Sequence, residues 1–164
     1  MKRALGPIVA TLIGASCLGA GQAQAARTLL ADMLARPPVA DRPVMSALAL
    51  EACLARAKEL DRTGVAVDMQ VVAIDRLAAE GLLLQNQINA ELPVLGDFDE
   101  KGLNDFQQRV IRREQLARQF KTEFPVYQQA QKDYDAAVAE FERNCAGGFS
   151  ASDLAAAKTK LGIK

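Results

Sequence analysis

Apolar residues along this chain recur at intervals of three and four rather than two, through two long stretches that contain one proline between them. Stepping by three and four alternately from Leu50 visits Cys53, Ala57, Leu60, Gly64, Val67, Val71, Ile74, Ala78, Gly81, Gln85, Ile88 and Leu92, none of them charged. The same steps from Leu103 visit Phe106, Val110, Arg113, Ala117, Phe120, Phe124, Tyr127, Gln131, Tyr134, Val138, Phe141 and Cys145, and only Arg113 carries a charge. A stripe of that width is what a helix buries against one partner helix. The pattern predicts helices over 46–92 and 103–144. The segment LPVLGDFDEKG between them interrupts it with Pro93, Gly96 and Gly102. So short a link folds the two helices back antiparallel.

Shorter elements flank this pair. Residues 27–36 place Leu29, Leu30, Met33 and Leu34 on one helical face. Pro37, Pro38 and Pro43 then impose a stiff, extended linker. At the other end Ala146, Gly147 and Gly148 stop the second long helix. Ser150, with Asp153 three residues on, is an N-terminal signature for a last helix to about residue 161. The expected fold class is all-α: a long antiparallel, coiled-coil-like helical hairpin with short flanking helices. Pro125 removes one backbone hydrogen bond and is expected to kink the second long helix. A break there and at Gly64 is the alternative, and would give a small bundle of shorter helices.

The cysteines set the register. Cys53 lies 44 residues before position 97 and Cys145 lies 48 after it. Both fall on their stripes, Cys53 at a d position and Cys145 at an a position, and antiparallel helices stack a against d. If they face each other, every layer pairs residues whose numbers add to 198. That constancy follows from any two regular heptads, so the side-chain sizes are the better test. Ala57 then meets Phe141, Gly64 meets Tyr134, Ala78 meets Phe120, Ile74 meets Phe124, and Leu92 meets Phe106. Small residues opposite large ones fill a seam without voids. The polar intrusions Gln85 and Arg113 fall opposite each other, and the flanks bring Glu91 to Arg109 and Asp75 to Lys121. A Cys53–Cys145 disulfide is therefore expected to clamp the open end of a hairpin roughly 60 Å long, at 1.5 Å rise per residue.

The N-terminus changes the setting. Lys2 and Arg3 precede the uncharged apolar run ALGPIVATLIGASCLGA, and AQA ends at Ala25. That layout predicts an export signal over 1–25, cleaved before Ala26, and a periplasmic mature chain. Gly6, Pro7 and Gly14 interrupt the run too often for a good membrane span. The alternative is a lipid attached at Cys17 and an envelope-anchored protein, the one route by which a membrane enters the reading. Residues 26–45 then form the amphipathic segment and proline-rich linker, and 46–164 form the hairpin domain with its last short helix. Outside the cytoplasm, a remaining pair of cysteines is better read as a disulfide than as two thiols.

Charge and composition narrow the chemistry. Without Lys2 and Arg3 the chain keeps 18 basic and 20 acidic side chains, a net charge near −2. That balance argues against nucleic acid as a partner. The chain has no histidine. Ser-His-Asp and Cys-His catalysis, histidine-ligated haem and histidine-containing zinc sites are thereby excluded. DFDEKG resembles the start of a calcium loop, but Lys101 stands where an acidic or amide residue is wanted and Gln108 where a glutamate is. Asp61, Asp68 and Asp75 repeat every seven residues, a solvated helix edge or, in the enzymatic or cation-binding alternative, a row of carboxylates. No catalytic, cofactor-binding or metal-binding residue is assigned.

Two apolar features remain. The link holds Pro93, Val94, Leu95 and Phe98 at the far end of a long lever, where they either cap the helix ends or dock into a partner protein. A second stripe of Val65, Met69, Val72 and Leu83 lies off the main seam, with Leu77, Leu84 and Leu116 flanking it. It is expected to be covered by residues 27–36 or by the last helix, or else to serve self-association or a partner helix. In outline the arrangement resembles the periplasmic holdase chaperones with long helical arms, which implies client holding; those arms are typically basic, and this chain is not. The functional expectation is a non-enzymatic periplasmic scaffold, adaptor or chaperone-like binding protein.

Overall fold

A computed structural model describes residues 28–38 and 44–163. The expected export signal and Cys17 lie outside the described residues. Among the described residues four α-helices follow in order: α1 (Leu29–Ala35), α2 (Ala47–Glu91), α3 (Glu100–Asn144) and α4 (Ala151–Leu161). A 3₁₀ segment over Leu92–Asp97 joins α2 to α3. Among the described residues the only β pairing is an isolated bridge between Val44 and Gly148. The fold is an all-α helical hairpin, and each long helix is 45 residues, about 67 Å at 1.5 Å per residue.

Local chemistry sets the boundaries. The Ser46 side chain accepts from the Ala49 amide at 3.2 Å and opens α2. Helix α3 starts three residues earlier than the expected 103 because the Asp99 carboxylate caps it, accepting from the Gly102 amide at 2.8 Å. Gly102 is thus drawn into the first turn rather than breaking it. A Cβ there would stand 3.2 Å from the Asp99 carboxylate and from Phe98, so glycine lets the cap and the ring close over the helix start. Ser150 opens α4 by accepting from the Asp153 amide at 3.0 Å.

Both long helices are continuous. Pro125 lies inside α3, and Gly64 inside α2, with helix on either side; the shorter-helix bundle does not form. Gly64 has a packing role: a Cβ built on it would lie 2.8 Å from the Tyr134 hydroxyl oxygen. The pairing of Gly64 with Tyr134 is therefore present, at the register in which numbers add to 198. The Arg109 guanidinium donates to the Glu91 carboxylate at 2.6 Å and 3.1 Å, as that register requires.

Three details bear on the expected layers. Leu92 is 48% exposed rather than seated against Phe106, because the chain tightens there to three residues per turn and rotates off the seam. The Gln85 amide takes its hydrogen bond within α2, donating to Asn89 at 2.9 Å. Asp75 and Lys121 form no ion pair; Arg112 and Glu80 do, at 2.8 Å. An exposed pair contributes little in either place, so seam packing rather than flank charge selects the register.

The buried core lies at the open end. Leu29, Met33, Leu50, Cys53, Leu54, Ala57, Leu60, Phe141, Cys145, Phe149 and Ala157 form one cluster, to which all four helices contribute. Cys53 and Cys145 are joined by a disulfide with Cα atoms 5.8 Å apart. This end is the base; the remainder of α2 and α3, out to the 3₁₀ turn, is the arm.

Candidate functional site

The base is built by long-range capping as well as by apolar packing. Helix α1 has no cap from its own Thr28. Its first amides, those of Leu29 and Leu30, donate instead to the Asp61 carboxylate of α2, at 2.7 Å and 3.2 Å. An acidic group at a helix start satisfies unpaired amides and complements the positive end of the helix dipole. At the other end of α1 the Arg36 guanidinium donates to the Cys145 backbone carbonyl, at 2.9 Å, where α3 ends. Helix α1 is thus fastened at both ends, with Leu29 and Met33 buried between them. The Met45 amide donates to the Gly148 carbonyl at 2.7 Å, and Lys160 of α4 pairs with Glu51 of α2 at 2.6 Å.

Asp61 was legible in the sequence only as one of three carboxylates on a helix edge. Its role as a cap for a helix 31 and 32 residues away carries no local signal. Asp68 and Asp75 are exposed. Their charges, together with Asp61 and Asp135, act on two tyrosines of α3. Partial burial, then the charges of Asp61, Asp68 and Asp135, raise the Tyr134 phenol above its usual value. Burial, then Asp75, Asp135 and Asp68, raise Tyr127. Both phenols hold their protons more tightly, which makes them weaker acids for proton transfer near neutral pH.

The arm is covered on one side only. Phe120 and Phe124 stack with ring centres 5.0 Å apart, and Tyr127 follows at 6.3 Å from Phe124. Leu116 is buried although it lies one residue off the seam. It shares a flank of α3 with Arg109, as Leu84 shares one of α2 with Glu91, so the Arg109–Glu91 pair sets Leu116 at the level of Leu84. The burial stripe is therefore wider here than two positions per heptad. On the outer side of α2, by contrast, Val65 is 50% exposed, Met69 70% and Leu83 58%. Neither α1 nor α4 covers them, contrary to one expectation for this stripe, because the apolar faces of both helices are spent on the base.

At the tip, Pro93 and Val94 are exposed, while Leu95 and Phe98 are half-buried. Phe98 leans against Gly102 at the start of α3. The four candidate tip residues thus divide into two that face solvent and two that partly close the hairpin end. The calcium-like carboxylates do not converge: Asp99 is engaged as the α3 cap. Among the described residues no group of three or more Cys, Asp or Glu side chains is placed to hold a metal ion. A groove of about 390 Å³ lies beside the disulfide, between Arg56 and Glu140. No helix among the described residues is long and apolar enough to cross a membrane.

Compared with protein-family models, with curated proteins and with solved structures, the chain matches none.

Proposed function

We propose that this chain is a non-enzymatic periplasmic adaptor or scaffold, with a disulfide-clamped base that carries an arm whose tip binds a protein partner. The observation that carries the reading is the division between a closed base and a half-covered arm. The contacts of Asp61 and Arg36 that fasten α1 lie near the disulfide, whereas toward the tip the half-buried Arg109–Glu91 pair is the polar tie between α2 and α3. The solvent-facing apolar residues Val94 and Pro93 lie at the opposite end, with Leu95 and Phe98 beneath them. An apolar tip held far from the core by two long helices presents area to another molecule without weakening its own fold. Export through the 1–25 signal supplies the oxidising compartment in which the Cys53–Cys145 bond persists; attachment through Cys17 would place the same module on the envelope.

The test is photo-crosslinking from a probe residue placed at Val94, in cells of the native host, compared with the same probe at exposed Gln129 on α3. The proposal expects one discrete crosslinked protein from the tip and none from Gln129, and expects Leu95→Ser to abolish it while helical content stays unchanged. A tip that yields no crosslink, or the same products as Gln129, removes this reading.

A further inference from the structure

Val65, Met69, Val72, Arg76, Ala79 and Leu83 recur at four and three residues along α2. This is the spacing of the main seam, repeated on the side of the helix away from α3. The corresponding outer positions of α3 are mostly polar: Asn104, Gln108, Gln115, Arg118, Thr122 and Gln129 stand there, with Ile111 and Pro125 the exceptions. The outer side of α3 thus carries isolated apolar residues, while that of α2 carries a continuous apolar stripe. A helix with apolar stripes on two opposite sides has the pattern of an element in the middle of a bundle.

We propose that the outer stripe of α2 is the interface with a second copy of this chain, the two α2 helices packing antiparallel about a two-fold axis midway between Val72 and Arg76. The stripe reads alike in both directions. Positions whose numbers add to 148 face each other, so Val65 meets the second copy's Leu83, Met69 meets Ala79, and Val72 meets Arg76. The same patch serves both copies, as a two-fold interface requires. A constant sum is automatic for a regular repeat, and the charges decide the register and the direction. Arg76 is the one charged residue in the stripe; it is exposed and has no ion-pair partner within the chain among the described residues, and neither has Asp75 beside it. About the two-fold axis each Arg76 comes beside the other copy's Asp75, and two symmetric pairs form. A parallel pairing sets Arg76 against Arg76. A slip of one heptad brings Lys58 and Arg62 into the stripe in one direction and sets Met69 against Asn86 in the other. The assembly is a four-helix bundle with the two α2 helices inside and the two mostly polar α3 faces outside. It does not depend on what the tip binds.

The test is sedimentation velocity on the oxidised chain as recovered from cells, across a dilution series, with circular dichroism to check folding. The wild type is expected as a dimer that dissociates on dilution. Val72→Lys, at a position already 57% exposed, is expected to be monomeric with unchanged helical content. Asp75→Arg and Arg76→Asp are each expected to weaken the dimer by at least about tenfold, because each leaves four like charges at the axis. The two together restore the pairs and are expected to regain most of that loss. A wild type that stays monomeric, a Val72→Lys dimer of undiminished affinity, or a double exchange no better than either single one would overturn the proposal.

Discussion

At the base, Leu54 has no solvent exposure and belongs to the core that all four helices share; along the same helix, only four turns on, Met69 is 70% exposed. The two positions are alike in backbone and in side-chain size. What differs is that α1 and α4 pack around the level of Leu54, and α1 is fastened no farther along α2 than Asp61. The base joins α1, α2, α3 and α4 through one core, one disulfide and the Asp61, Arg36 and Glu51 contacts. The arm has one seam and two interhelical ion pairs. Stability and most of the available apolar surface are thus segregated: the base holds the fold together and exposes Val44 and Leu48 at its edge, whereas the arm exposes the longer apolar stripe and holds little together. Loss of a tertiary contact in the base is felt throughout, whereas the arm tolerates change on its outer face.

The sharpest break in that contrast comes from the disulfide. Replacing both Cys53 and Cys145 by Ala releases a closure of 92 residues and is expected to lower unfolding stability by about 4.6 kcal/mol on the chain-entropy account, read as a shift in urea midpoint. Next come matched truncations. Leu54→Ala should cost about 3 kcal/mol, as buried Leu→Ala changes do, while Met69→Ala, measured under monomeric conditions, should stay within about 0.5 kcal/mol of wild type. Equal costs at the two sites would erase the distinction between base and arm. A smaller effect is expected at Asp61→Ala, which removes the α1 cap at a cost of about 1 kcal/mol and should expose residues 28–38 to limited proteolysis before the hairpin unfolds.

The two glycines inside α2 sharpen the comparison further. At Gly81 a Cβ meets nothing within 4 Å, so Gly81→Ala should stabilise by up to about 1 kcal/mol through helix propensity. At Gly64 the same change drives into the Tyr134 hydroxyl, and overpacking should outweigh propensity for a net loss of about 1 kcal/mol. The smallest effect is alkaline. Tyr127 and Tyr134 titrate above the ordinary 10.0 in the folded chain. Protonated phenol therefore favours the fold: the contribution is complete below about pH 10 and is lost as pH rises through the raised folded values. Tyrosinate absorbance should rise later in the folded chain than in the urea-unfolded chain, and stability should begin to fall only above about pH 10.

Much of this was legible in the sequence because two heptad stripes and the spacing of two cysteines overdetermine a hairpin. Once Cys53 faces Cys145, Gly64 must face Tyr134 and Glu91 must approach Arg109, and both occur. The Ser150 cap was readable because its partner lies three residues away, and Ser46 caps α2 at the same spacing. What could not be read were contacts whose two ends are far apart in sequence and lack periodicity. Asp61 looks like any carboxylate on a solvated edge until α1 arrives on it, and Arg36 reaches a backbone carbonyl that has no residue identity to detect. The start of α3 shifted because Asp99 outweighs the helix-breaking tendency of Gly102. The outer α2 stripe was visible as a pattern, but its exposure was not, since coverage by α1 and α4 depends on where the linkers let them land.

Peptide-resolved amide hydrogen exchange on the monomeric, oxidised chain tests the central division most directly. The account predicts the slowest exchange in peptides covering 50–60, 141–145 and the buried turn of α4, with protection falling steadily along α2 and α3 toward the tip at 92–98. Uniform protection along both long helices, or the slowest amides near the tip, would contradict it.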